Sequence, residues 1–264
     1  MRIGVILERH QPVLDGMLDR LAAAGAIVEV IEPATAALEL GTLRPASELY
    51  VLKSLGTPAG GAIAAAFHAL GAPTFNPFPV VSMLHDKVSA LARLARAGVP
   101  VPETHVAGNP RALLPLLETG PLVVKPFRGS RGVGVRVIRS ASELLAFPAP
   151  AGEPTLVQRY HPGDDGLDRK IFVVDHRVFG VRRRFPLRRY EDKLGEPFRP
   201  DEELLRIARR IGEDLGLDLY SFDVVVSGGR PWVVDVGSFG SFMGVPDAPR
   251  MLADRVLRAW REVA

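Results

Sequence analysis

The chain opens on an alternation of two hydrophobic periods. Apolar residues run through 2–7. They then recur as Val13, Met17 and Leu21 on one stripe of a helix predicted over 11–24 and stopped by Gly25, and run again through 26–31. This is the pattern of a βαβ unit. A further apolar strand, Leu49 to Lys53, precedes a Gly- and Ala-rich helix around 58–70, and Gly71-Ala-Pro-Thr-Phe-Asn predicts the next short strand. The first 80 or so residues therefore predict a small, mostly parallel α/β lobe.

Asp86 to Ala97 predicts a helix with Val88, Leu91 and Leu94 on one side. Gly98 and the Val-Pro-Val-Pro that follows close it. From 121 onward the pattern changes to strands joined by glycine turns: 121–125, 133–138, 155–160, 170–175, 177–183, 221–227 and 231–236. Turns at Asp175-His176 and Gly228-Gly229 make hairpins of two pairs, hence antiparallel sheet. Pro200 and Asp201 start a helix with Leu204, Ala208, Ile211 and Leu215 on one face, and Asp247 starts another with Leu252, Val256 and Trp260.

The 264 residues, 47% of them hydrophobic, suffice for a sizeable core in one large domain or several small lobes. No apolar run reaches the roughly 18 to 20 residues that span a bilayer, and Met1 leads directly into a strand pattern, so neither export nor membrane insertion is expected. The absence of cysteine excludes disulfides, thiolate metal sites and a cysteine nucleophile, and fits a cytoplasmic location. The six histidines show no paired metal-ligand spacing, and no serine lies in a GxSxG elbow. The net charge of +3 comes from arginine clusters among 30 acidic residues, which suits either solvated faces or an anionic partner. The cluster Arg182 to Arg189 lacks the repeated aromatic interleaving of a nucleic-acid surface, and nucleic acid is not expected as a partner.

The stretch Leu122-Val-Val-Lys-Pro-Phe-Arg-Gly-Ser-Arg-Gly-Val-Gly-Val carries the most chemistry. A strand ends in Lys125, a loop holds Gly129, Ser130, Gly132 and Gly134, and a second strand follows. Glycines let backbone amides approach phosphate oxygens, the serine adds a donor, and the lysine a point charge. The same residues also suit an ordinary tight hairpin. Because the loop joins two strands, neither the P-loop nor the dinucleotide fingerprint applies, and a kinase-like glycine hairpin over phosphates is the nearer analogue.

Further motifs lie in order around it: Asp86-Lys87 upstream, then Leu156-Val-Gln-Arg-Tyr, Asp168-Arg-Lys-Ile-Phe-Val-Val, Phe222-Asp-Val and Val234-Asp-Val-Gly downstream. From about Met83 to Val245 the chain resembles the ATP-grasp superfamily, in particular the ribosomal-protein glutamate ligases, glutathione synthetase and related carboxylate-amine ligases. The resemblance implies an α/β and α+β architecture in which an N-terminal α/β lobe (1–82) precedes a central lobe with the glycine loop (83–157) and a C-terminal lobe with the metal site (158–264), the last two enclosing ATP. It implies Lys87 and Lys125 on ATP phosphates, and Gln158, Arg159 and Tyr160 beside adenine. Arg159 stands where the family carries an acid, and Asp168 is expected to take part of that role. Lys170, with the pair Arg183 and Arg184, is expected at the substrate or γ-phosphate, and Arg182, Arg188 and Arg189 extend this basic segment toward an anionic acceptor.

Asp223 and Asp235 lie on successive strands of the Gly-Gly hairpin, so both can face one way and share Mg2+, or Mn2+ in its place, with the phosphates. Each is set in an apolar strand where an unpaired charge is costly. The family pattern of acid, any residue, Asn ends here in Gly237, which removes one expected ligand. The implied function is an ATP- and Mg-dependent ligase joining a small anionic carboxylate substrate to an amine co-substrate through an acylphosphate. The terminal run Asp235 to Asp247 also resembles inositol phosphate kinases, which keeps a small-molecule kinase as an alternative, and Gly237 and Arg159 keep an ATP-binding protein without turnover as another. A homo-oligomer is compatible with all three.

Overall fold

The computed structural model describes residues 1–264 except 54–55, 128–133, 149–151, 185–191 and 193. The first lobe follows the predicted order: β1 (Arg2–Ile6), α1 (Pro12–Ala23), β2 (Ile27–Ile31), β3 (Leu49–Leu52), α2 (Pro58–Ala69) and β4 (Thr74–Phe75). Its sheet is parallel, in the order β2-β1-β3-β4. The chain steps outward from β1 first to β2 and then, on the other side, to β3. The carboxyl ends of β1 and β3 therefore flank a topological switch point, the place where open α/β sheets hold ligands.

Two helices follow, α3 (Phe78–Leu84) and α4 (Lys87–Arg96). The middle sheet contains β5 (Thr104–Ala107), β6 (Leu122–Lys125), β7 (Arg136–Ile138) and β8 (Thr155–Arg159) in the order β5-β8-β6-β7, every pair antiparallel. A 3-10 helix, Pro110–Thr119, and the short α5 (Ala141–Leu145) pack on it through Leu113 and Leu144. The third sheet is built from β9 (Leu167–Val174), β10 (Arg177–Arg184), β11 (Glu196–Phe198), β12 (Leu219–Ser227) and β13 (Arg230–Gly237), ordered β11-β10-β9-β12-β13. α6 (Glu202–Leu215) precedes β12 and α7 (Ala248–Val263) ends the chain. Of these, α3, α5, β5, β11 and the 3-10 helix go beyond what the hydrophobic pattern predicts.

The third sheet is covered on both faces, as the alternation of its strands requires. Ile171, Val173, Phe222 and Val224 face α6 and α4, which contribute Leu204, Ala208, Ile211 and Leu94. The intervening Phe172, Val174 and Leu219 face α7 and the α1 side of the first sheet. Each such buried side chain contributes about 1.5–3 kcal/mol. Residues 87–99 thus share their core with the third sheet, through Ala90, Leu94 and Val99, whereas the middle sheet has a core of its own. The Gly228-Gly229 turn has φ of 59° and 70°, the left-handed pair that a two-residue hairpin demands. Among the described residues no helix is long and apolar enough to cross a membrane.

Candidate active site

The hairpin β12–β13 sets the centre. Asp223 and Asp235 are direct cross-strand partners, so their side chains leave the same face of the sheet. Asp223 pairs with Asp235 and Val224 with Val233, which leaves Val234 as a bulge. The bulge turns the Val234 carbonyl out of the ladder, and Lys125, at the end of β6, donates to it at 2.7 Å. That bond joins the middle sheet to the strand that carries Asp235.

Lys125 is only 9% exposed. Burial brings its pKa down from 10.5 to about 8; Asp235 and Asp223 oppose that shift and Lys87 adds to it. Lys87 is the first residue of α4, placed there because the Asp86 carboxylate caps the helix, accepting from Val88 N at 2.9 Å and Ser89 N at 3.1 Å. Lys87, Lys125, Asp223 and Asp235, predicted from four separate motifs, are therefore brought within electrostatic reach of one another.

The basic residues of β9 and β10 hold a different position. Lys170, opposite Asp223 in the ladder, donates to its Oδ2 at 2.9 Å. Arg183 donates to Asp223 Oδ1 at 2.8 Å and grips Asp168 through Nε at 3.0 Å and Nη2 at 2.7 Å. Burial pushes the Asp223 carboxyl up, but Lys170 and Arg183 together outweigh it and hold it below the usual carboxylate range. Burial likewise works against the Arg183 charge and is outweighed by Asp168 and Asp223, which hold the guanidinium above its ordinary value. Asp168, expected near the ribose, is instead Arg183's buried counter-ion. Arg184 is the exposed neighbour of Arg183 and, by the period of two, belongs to the opposite face of β10, away from the carboxylates.

At the end of β8, Gln158 is buried and donates to Thr104 Oγ1 at 3.0 Å within the middle sheet. Arg159 closes the 3-10 helix, donating to Gly120 O at 2.8 Å, Leu116 O at 3.2 Å and Thr119 Oγ1 at 2.6 Å, so its side chain serves the lobe that carries it. The Tyr160 amide donates to Pro121 O at 3.0 Å. Gly134 has a φ of 77°, and a Cβ there would come to 2.7 Å from Pro126 Cγ, so the loop after Lys125 returns in a turn that only glycine fits. Gly129, Ser130, Gly132, Arg188 and Arg189 lie outside the described residues.

Two groups at the site are missing from the sequence motifs. Glu8, just beyond β1, accepts from Thr57 N at 2.8 Å and Thr57 Oγ1 at 2.7 Å. His85, exposed at the mouth yet lined closely enough by protein to lower its pKa, feels the charges of Glu8, Lys87 and Asp235. A lone histidine and a loop glutamate carry no spacing signal. They are legible only once the β1–β3 switch point is seen to open toward the β13 carboxylate. Across the same boundary Lys53, following β3, lies 5.1 Å from the Phe239 ring centroid.

The arrangement is a buried lysine and a half-buried one in the electrostatic neighbourhood of an exposed carboxylate, at the seam of two antiparallel sheets with a parallel lobe behind. The family model of the RimK-like ATP-grasp domain matches residues 84–246, more than half of the chain. The chain belongs to the RimK-like ATP-grasp family. Its ATP-grasp domain begins just before the Asp86 cap and runs past Gly237, so it contains Lys87, Lys125, Asp223 and Asp235, while Glu8 and Lys53 belong to the preceding lobe. A probable alpha-L-glutamate ligase of Saccharophagus degradans is 25% identical over 250 residues, covering 86% of this chain and 83% of its own. A second, from Shewanella denitrificans, is 29% identical over 211 residues, covering 72% and 68%. Among solved structures, a RimK domain ATP-grasp protein of Sphaerobacter thermophilus matches with a TM-score of 0.79 at 23% identity, over 96% of this chain and 98% of that one. The D-cycloserine synthetase DcsG matches with a TM-score of 0.76 at 19% identity, over 98% and 100%. These two likenesses establish the ATP-grasp fold of the whole chain, first lobe included.

Proposed function

We propose that the protein is a ligase that uses ATP with Mg2+ to activate a small carboxylate substrate and join it to an amine. The observation that carries this reading is the meeting of Lys125 and Lys87 with the exposed Asp235 across the seam of the two ATP-grasp sheets. The carboxylate oxygen attacks the γ-phosphorus, the bond from that phosphorus to the β–γ bridging oxygen breaks, and ADP leaves. The amine nitrogen then attacks the acyl carbon, phosphate departs, and the nitrogen loses its proton to solvent. No protein nucleophile is needed.

Each residue has a bounded role in this scheme. Lys125 and Lys87 bind the β- and γ-phosphates and stabilise the charge that builds on ADP. Asp235, with the phosphate oxygens, would hold the metal, whose chemistry is to neutralise those oxygens and fix their orientation. Lys170 and Arg183, held in place by Asp223 and Asp168, set positive charge on the phosphate side rather than on the acceptor. The acceptor lies on the side of the first lobe, toward Glu8 and His85. ATP lies between the middle and third lobes, which divide near residue 157; the first division, expected near 82, is followed by α4, whose core is the third sheet's, so the middle lobe proper begins after Val99. The relatives' designation as probable alpha-L-glutamate ligases supports L-glutamate as the first amine to offer.

The test is ADP release from Mg-ATP against pools of carboxylates and amines, L-glutamate among them, and against hydroxyl compounds such as inositol and sugar phosphates. ADP formation that needs a carboxylate and an amine together is expected. ADP formation with a single hydroxyl compound would replace the ligase with a kinase.

A further inference from the structure

We infer that this ATP site takes a single divalent cation, seated on Asp235, and that Lys170 and Arg183 stand in for a second. The inference rests on the ATP-site reading above, but its evidence is the inventory of oxygen donors. Mg2+ at a nucleotide is held by one or two carboxylates together with phosphate oxygens and waters. Two ions on one nucleotide therefore need a protein oxygen donor beyond a single free carboxylate, whether a second carboxylate or an amide.

Asp223 is not free. Its Oδ2 is engaged by Lys170 at 2.9 Å and its Oδ1 by Arg183 at 2.8 Å, and Arg183 is anchored in turn by two bonds to Asp168. The four side chains are all mostly buried and their charges balance, two positive against two negative. A divalent ion on Asp223 would have to lie against two cations or expel them, and expelling Arg183 would leave Asp168 charged and unpaired in the interior. Breaking a buried pair in that way is strongly unfavourable.

Asp235, directly opposite on β13, is in the contrary state. It is exposed, no ion pair within 4.0 Å engages its carboxylate among the described residues, and the nearby Lys125 feels its charge. The next position on that face, two residues on, is Gly237, which brings no donor. Among the described residues no group of three or more carboxylates or imidazoles is arranged to hold an ion. Among the described residues one cation thus has a protein ligand and a second has none. The fixed ammonium and guanidinium occupy the place where its charge would act, and as permanent cations they need no ion to be recruited.

Gly237 also supplies the means of reversal. A Cβ at this position would have only Ser221 Oγ within 4 Å, at 3.9 Å, and its φ lies outside the left-handed region, so the backbone accepts a side chain here and Gly237→Asn meets no clash at its Cβ. It would place an amide oxygen beside Asp235 and complete a second set of ligands that does not draw on Asp223.

Mn2+ binding measured by electron paramagnetic resonance, in the presence of a saturating non-hydrolysable ATP analogue, tests this directly. Nucleotide occupancy is read separately by equilibrium dialysis. One Mn2+ per bound nucleotide, magnetically isolated, is expected for the unaltered protein, rising to two spin-coupled ions in Gly237→Asn. Two coupled ions in the unaltered protein, or nucleotide bound with none, would overturn the inference while leaving the ATP site standing. No bound nucleotide in any metal condition would overturn the ATP reading and this inference with it.

Discussion

Asp235→Asn is expected to lower turnover by about a thousandfold or more while lowering the melting temperature only slightly. Charge neutralisation by a bound metal is worth several kcal/mol in a phosphoryl-transfer transition state, and about 4 kcal/mol corresponds to three decades in rate. Asp235 is the exposed carboxylate of the pair, and its contribution to stability is the favourable charge it sets near Lys125, so its loss should cost about 1 kcal/mol or less. Asp223→Asn makes the contrast, since it strips Lys170 and Arg183 of their shared counter-ion and should cost about 2 kcal/mol or more. Because Asp223 has a lowered pKa, its contribution is present above the unfolded carboxyl value near 3.9 and fades as pH falls through the folded one. Steady-state ADP release and thermal melts of the two variants separate the roles. Undiminished activity in Asp235→Asn would refute the metal assignment.

Lys125→Met is expected to weaken nucleotide binding by about ten- to a hundredfold, the worth of one charge-assisted hydrogen bond to phosphate. The nucleotide-free protein should nevertheless be as stable as before, or more so. Burial holds Lys125 at a pKa of about 8, well below its value of 10.5 in a free side chain. A difference of that size costs the folded state about 3 kcal/mol at neutral pH. Losing the bond to Val234 O returns only part of this, about 1 kcal/mol or somewhat more.

The sign fixes the pH dependence. Between pH 8 and 10.5 the unfolded chain binds the lysine proton more readily than the folded one, so the unaltered protein should gain stability as pH rises through that window. Lys125→Met should lose this rise. Nucleotide phosphates favour the charged lysine, so binding above pH 8 should take up a proton, visible as a buffer-dependent heat in calorimetry. An affinity for nucleotide untouched by the substitution would remove Lys125 from the phosphate site.

Local chemistry made part of this molecule legible in its sequence. The Gly228-Gly229 turn and the apolar strands around it fix a hairpin, and a hairpin fixes that Asp223 and Asp235 share a face. The Asp86 cap places Lys87 at a helix start, and Pro126 after Lys125 ends a strand there. What escapes the sequence is non-local. β5 has four residues and its partner β8 lies some fifty residues downstream, so no local pattern announces it. β11, three residues long, exists only because β10 offers it an edge.

The same distinction runs through the site. Arg183 and Arg184 look like one basic pair, yet the strand period separates them, and only the register of β9 against β10 and β12 shows that Arg183 meets Asp168 and Asp223. Arg159 carries a charge that suggests a ligand, but its guanidinium answers to the carbonyls of a 3-10 helix forty residues earlier. His85 and Glu8 become visible as site residues only when the first lobe is folded against the β13 carboxylate.

The central claim, that ATP is used here to activate a carboxylate, is tested most directly by trapping. The protein is incubated with Mg-ATP, the carboxylate pool and hydroxylamine in place of the amine, with Asp235→Asn as the blank, and hydroxamate is measured alongside ADP. Hydroxamate formed in step with ADP, and absent from the blank, is the expected result, because hydroxylamine intercepts an acylphosphate. ADP released with a hydroxyl compound and no hydroxamate from any carboxylate would contradict the account.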